Sequence, residues 1–228
     1  RFLVDAELFA GAAPKPGTGS PADAKVGLAH GEAGLGIALL KLARASGDSH
    51  YLEQAWSCLK CEREARAALQ LAGLDGRYED RISTEISWCG GSTGMLLLAS
   101  RLYGPQHLPD DVGEGVAWSA ARTIAKNDSL CCGAFGHAIV HREIASPLAP
   151  DILGKLCASR KHGPWALLDR QFDPAPPGLF SGIAGIGLSY LSAAVENPAI
   201  SILTFEVRPR TSAGFAGDVF PGKPCIAG

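Results

Sequence analysis

Residues 89–102 read CGGSTGMLLLASRL, a glycine pair at Gly91 and Gly94 that opens an apolar run at helical spacing. The same pattern returns three times: HGEAGLGIALLKLA at 30–43, CCGAFGHAIVHREI at 131–144 and SGIAGIGLSYLSAA at 181–194. The leading glycines, Gly31, Gly91, Gly133 and Gly182, are 60, 42 and 49 residues apart. Irregular repeats of this length predict a two-helix unit with variable loops, as in helical toroids and solenoids. The partner helices are predicted over Tyr51 to Leu71, Val112 to Ala125 and Pro150 to Ser159, where apolar and charged residues alternate at helical period. Each unit is thus an outer amphipathic helix, a loop and a glycine-started inner helix. Glycine at the inner helix's entrance lets backbone pass close without a Cβ clash.

The remaining composition agrees with an all-α chain. In 228 residues there are 28 glycines, 46% hydrophobic residues and only 7% aromatic ones, which favours tightly apposed helices over a sandwich. Apolar content is too high for disorder. With 21 basic against 23 acidic residues there is no electrostatic footprint for nucleic acid and no basic membrane patch. Residues 178–195 carry no charge, but four glycines and three serines dilute them, so a buried helix is expected there rather than a transmembrane segment. The segment 201–207, SILTFEV, reads as a short strand, and 208–228 as a Pro/Gly-containing tail behind a domain spanning 1–207. Seven cysteines in an odd, unevenly spaced set do not form a disulfide framework, and no secretory leader is visible. A cytoplasmic location follows, which leaves cysteine clusters for metal binding or catalysis.

The repeat also aligns the chemistry. His30, Gly90, Cys132 and Ser181 immediately precede the leading glycines, and Cys89 and Cys131 stand one position earlier. Three cysteines therefore fall at equivalent entrances, which would converge at one end of a closed ring. A catalytic zinc with three ligands, a structural zinc completed by His137, His141 or Cys157, and ordinary buried thiols all remain open on spacing alone. Cys58-x-x-Cys61 lies on a predicted helix rather than a strand–helix junction, so a thioredoxin-like role is weak. His137 and His141 lack the glutamate of a metalloprotease helix and read as packing or surface residues. His30 is either a proton-transfer group or a core histidine, and Trp88 either packs or shields the cluster. Among the inner-helix entrances Glu32 is the only carboxylate, which argues against a glycosidase toroid needing an acid pair.

Trp88-Cys89-Gly90-Gly91-Ser92-Thr93-Gly94 resembles the Trp-Cys-x-Gly-x-x-Gly motif of lanthionine synthetase cyclases. Leu130-Cys131-Cys132-Gly133 is similar to their Leu-Cys-His-Gly motif, with cysteine in the histidine position. Ala29-His30-Gly31-x-x-Gly34 and Pro177-Gly178-Leu179-Phe180-Ser181-Gly182 resemble the upstream and closing motifs, in the same order. The resemblance implies an α/α toroid, of whose seven hairpins this chain holds about four. It implies zinc (Zn2+) held by Cys89, Cys131 and Cys132, and addition of precursor-peptide cysteine thiols to dehydroalanine or dehydrobutyrine, giving thioether rings. A Cys-Cys-Gly third motif resembles the cyclase domain of bifunctional class II synthetases, in which a dehydratase prepares the ribosomal peptide.

That chemistry explains the residue types. A neutral thiol is a poor nucleophile, and zinc deprotonates the thiol it coordinates. After attack an enolate must be protonated at Cα, and a histidine, here His30, is the side chain type suited to that task. Two departures stand out: the family's aspartate motif has no counterpart here, and Glu85 occupies the position where members often carry arginine. The chain is therefore expected to be either a zinc-dependent cyclase or a zinc-containing module that binds a peptide or thiol without closing rings.

Overall fold

A computed structural model of the chain describes residues 25–72, 87–104, 107–110, 112–113, 127–160, 177–194, 201, 203 and 204. They form six principal helices and, among the described residues, no strand: α1 (Ala33–Ser46), α2 (Ser49–Ala72), α3 (Ser92–Tyr103), α4 (Ala134–Glu143), α5 (Ala149–Arg160) and α6 (Ile183–Ala194).

Four of these are the glycine-started helices. α1 packs on α3, α3 on α4 and α4 on α6, making an inner row, while α2 lies against α1 and α3 and α5 against α4. Every residue from Ser92 to Ser100 in α3 and from Ala134 to His141 in α4 is buried, and α4 carries the polar His137 and His141 into the interior with it. The outer α5 instead buries one stripe, Ala149, Ile152, Leu153, Leu156 and Cys157, at the spacing of a single helix face. Chain direction reverses after α1 at Gly47, whose left-handed φ of 75° lets its N–H close on the Ala43 carbonyl at 2.8 Å.

The apolar interior has two parts separated by α4. Leu96–Leu98 of α3, Ile37 and Leu40 of α1 and Ala55 and Leu59 of α2 meet Ile139 and Val140 on one side. Phe135 and Ala138 face Ile152, Leu153 and Leu156 of α5 and Ile186 of α6 on the other, with Phe135 against Tyr190 at a centroid distance of 5.1 Å. A largely buried ion pair, Arg101 Nη2 to Glu143 Oε2 at 3.0 Å, ties α3 to α4.

Expectation and structure differ in places. α6 occupies only Ile183–Ala194 of the uncharged stretch, and no helix among the described residues is long and apolar enough to cross a membrane. Ser201, Leu203 and Thr204 form a turn rather than the expected strand, because the Ser201 hydroxyl accepts both the N–H and the hydroxyl of Thr204. The rest of 201–207, most of the predicted helix 112–125 and the tail 208–228 lie outside the described residues.

Candidate metal centre

The second glycine of each repeat explains why the four loops adopt one shape. A Cβ on Gly34, Gly94, Gly136 or Gly185 would overlap the carbonyl oxygen of Leu28, Trp88, Leu130 or Leu179, in each case six residues earlier. The entrance loop therefore folds back over the first turn of its own helix, and only glycine leaves room for it.

Neighbouring loops are then bonded in series. Leu28 N donates to Trp88 O at 2.8 Å, and the N–H groups of Ala29 and His30 both donate to Cys89 O, at 2.9 and 3.0 Å. The Trp88 indole N–H donates to Leu130 O, and Cys131 N donates to Phe180 O at 2.8 Å. Trp88 and Phe180 also pack ring against ring, 5.8 Å apart. Trp88 thus serves as a buried strut between the second, third and fourth entrances.

This stacking brings Cys89, Cys131 and Cys132 together. Cys89 Sγ lies 2.9 Å from Cys132 Sγ, Cys132 Sγ lies 3.4 Å from Cys131 Sγ, and all three sulfurs fall within 4.8 Å of one another. The edge of a tetrahedral zinc–thiolate site, from a Zn–S bond of about 2.3 Å, is about 3.8 Å, so the spacings of 2.9 and 3.4 Å are tighter than that edge and the sulfurs would spread slightly around a metal. Three free thiols at this spacing could hold a metal ion, and no other His, Cys, Asp or Glu among the described residues joins them.

The third loop is braced from below. Asn127 Oδ1 accepts Ser129 N and Ser129 Oγ at 3.0 and 2.7 Å, Ser129 Oγ accepts Cys132 N at 3.3 Å, and Asn127 O accepts Ala134 N at 3.0 Å. Next to them Asp128, fully buried, receives Arg160 Nε of α5 on both carboxylate oxygens, at 2.8 and 2.9 Å.

Charge in the cluster concentrates on Cys89. Hydrogen bonds from the Cys131 and Cys132 thiols pull Cys89 down to about 2, helped by Ser87 and by the charge of His30 and opposed by burial. Cys131 gains from its bond to Cys132, but its role toward the Cys89 thiolate, burial and the Cys89 charge raise it to about 11. Cys132 is raised by bonding to Cys131 and Cys89 and by burial. A set of sulfur donors of this kind suits soft metal ions, copper(I), zinc and iron among them.

His30 is solvent-exposed, so the core-histidine reading does not hold. It stands over the Cys89 turn: a Cβ on Gly90 would lie 3.2 Å from its Cδ2. The other histidine candidates lie elsewhere. His137 and His141 are fully buried on α4, their Nε2 atoms 3.2 Å apart, and neither they nor Cys157 belongs to the thiol cluster. Cys58 is pushed up to about 12 by burial and nearby carboxylates, which makes it an inert core thiol.

Glu62, Asn127 and Ser129 escaped the sequence reading. Asn127 and Ser129 had only a turn-like composition to mark them. Glu62 left a fainter sign: it continues the stripe Ala55, Cys58, Leu59 on the face of α2 that is otherwise buried.

The family model for lanthionine synthetase C-like proteins matches residues 14–204. This chain belongs to that family. No curated protein and no solved structure matches it significantly. Membership of the lanthionine synthetase C-like family implies an enzyme of lanthionine-cyclase type with a peptide substrate. The glycine-led loops and their three thiols lie inside the matched span.

Proposed function

We propose that this chain is a zinc-dependent thioether cyclase, joining cysteine thiols of a dehydrated ribosomal precursor peptide to its dehydroalanine or dehydrobutyrine residues. The observation that carries this reading is the meeting of Cys89 with Cys131 and Cys132 from a different loop, in a chain of the lanthionine synthetase C-like family.

Cys89, Cys131 and Cys132 would hold the zinc. When bound, the metal keeps the peptide's thiol ionised at neutral pH. The helix amino-termini behind these cysteines lend partial positive charge to the same end of the inner row. Attack forms a carbon–sulfur bond at Cβ of the unsaturated residue and moves the double-bond electrons onto the carbonyl oxygen as an enolate. His30, exposed beside the Cys89 turn, delivers the proton to Cα. Trp88 and Phe180 pack ring against ring where the second, third and fourth entrances meet, which fixes the loops that carry the thiols. Dehydration of the peptide is supplied by a separate domain or enzyme, and the free thiols suit a reducing cytoplasm.

The decisive measurement pairs zinc analysis with a cyclisation assay on a peptide carrying one dehydroalanine and one cysteine. One zinc per chain in the native protein, lost or weakened in Cys132→Ala, together with thioether formation that collapses in His30→Ala while zinc is retained, is the expected result. Well-folded native protein without zinc overturns the reading. Zinc without thioether returns the chain to the peptide- or thiol-binding alternative.

A further inference from the structure

Glu62 sits at the middle of the outer helix α2 with 1% of its surface exposed. Its carboxylate reaches across to the loop that carries His30. Oε2 accepts the N–H of Gly27 and Oε1 the N–H of Ala33, both at 2.9 Å. These two amides stand three residues before and three residues after His30. A Cβ on Gly31 would overlap Glu62 Oε1, so the loop is wrapped tightly around the carboxylate. Between the two anchor points, Leu28, Ala29 and His30 donate to Trp88 O and Cys89 O. Gly27, at a φ of 102°, lies flat on the Cys89–Gly91 backbone, where a Cβ would come within 2.7 Å of Cys89 O.

We propose that Glu62 is a positioning residue that holds segment 27–33 and thereby sets His30 over the Cys89 turn; this rests on the role given to His30 above. A carboxylate suits the task. It offers two acceptor oxygens, at the amino-terminus of α1, to amides that would otherwise be buried without partners. Glutamine keeps one acceptor but turns an NH2 group toward an N–H, so one anchor is lost while the shape is kept.

The test uses the full zinc-loaded chain as native protein, Glu62→Gln, His30→Ala and the double variant. In Glu62→Gln, amide exchange at Leu28, Ala29 and His30 is expected to accelerate at least about tenfold, with the amides of α3 and α4 unchanged. The kcat for thioether formation is expected to fall at least about tenfold with KM for the peptide within about twofold, and the double variant to be no slower than His30→Ala alone. Unchanged exchange at the three amides, or additive losses in the double variant, overturns the proposal. Should Glu62→Gln fail to fold, Glu62→Asp, which keeps the charge but withdraws it by one methylene, is judged by the same two readouts. A native chain that forms no thioether would refute the cyclase reading, and exchange at 28–30 would then decide the positioning role by itself.

Discussion

Gly136 and Gly154 are both helical glycines, yet they predict opposite responses to alanine. A Cβ at Gly136 would overlap Leu130 O, which is backbone and cannot swing aside, and would press on the Trp88 ring at 2.9 Å. Gly136→Ala is therefore expected to cost about 1–3 kcal/mol, which for a chain of this size lowers Tm by about 2–4 °C per kcal/mol. At Gly154, in α5, nothing lies within 4 Å of the added carbon. Gly154→Ala should raise stability by about 0.5–1 kcal/mol, since only the freedom of the unfolded chain changes. Thermal melts of the two variants check both signs. At Trp88 the indole N–H holds Leu130 O beneath the third loop. Trp88→Phe keeps most of the ring packing but leaves that carbonyl unpaired, so a loss of about 1–3 kcal/mol is expected in urea unfolding.

Helix α4 carries a pH response that its place in the fold creates. Burial pushes His137 down to about 3, with the charge of His141 adding to the effect, and burial pushes His141 down to about 4. Both values lie below the unfolded reference of about 6.5, so on acidification the unfolded chain takes up protons first. Stability from this pair is complete above about pH 6.5 and is lost as pH falls toward 4 and then 3. The urea midpoint of native protein should drop through that window relative to His137→Leu/His141→Leu, which removes both ring partners at once. A constant difference between the two proteins across the window would exclude the pair as the source. Helix α2 shows the same principle in a carboxylate. Burial raises Glu62 to about 7 against the lowering effect of its backbone donors. A helical wheel places Glu62 on the apolar stripe of α2 and His137 and His141 on one edge of α4, but it does not give the burial that shifts them.

Across the molecule, the thiol cluster joins two loops that lie over forty residues apart in sequence, each at the start of an inner helix. A metal bound there stabilises the native state by mass action, because the unfolded chain cannot present the three sulfurs together. Chelation is accordingly expected to lower the Tm of native protein by several degrees and to leave that of a folded Cys89→Ser/Cys132→Ser variant unchanged. Equal response of both proteins to the chelator would place the metal elsewhere.

The glycine-led repeat, the four inner helices, the outer helices predicted over 51–71 and 150–159, and the alignment of Cys89, Cys131 and Cys132 were legible in the sequence. They rest on short-range rules: helical periodicity, the lack of a Cβ in glycine, and equivalent positions within a repeat. The bonding of Thr204 to Ser201, the exposure of His30, the burial of His137 and His141, and the reach of Glu62 to Gly27 and Ala33 were decided only in the folded chain. Each depends on which surface of one helix another element covers. That choice is made by hydrophobic packing and by the need to pair buried N–H groups, summed over segments distant in sequence, and no local pattern encodes it.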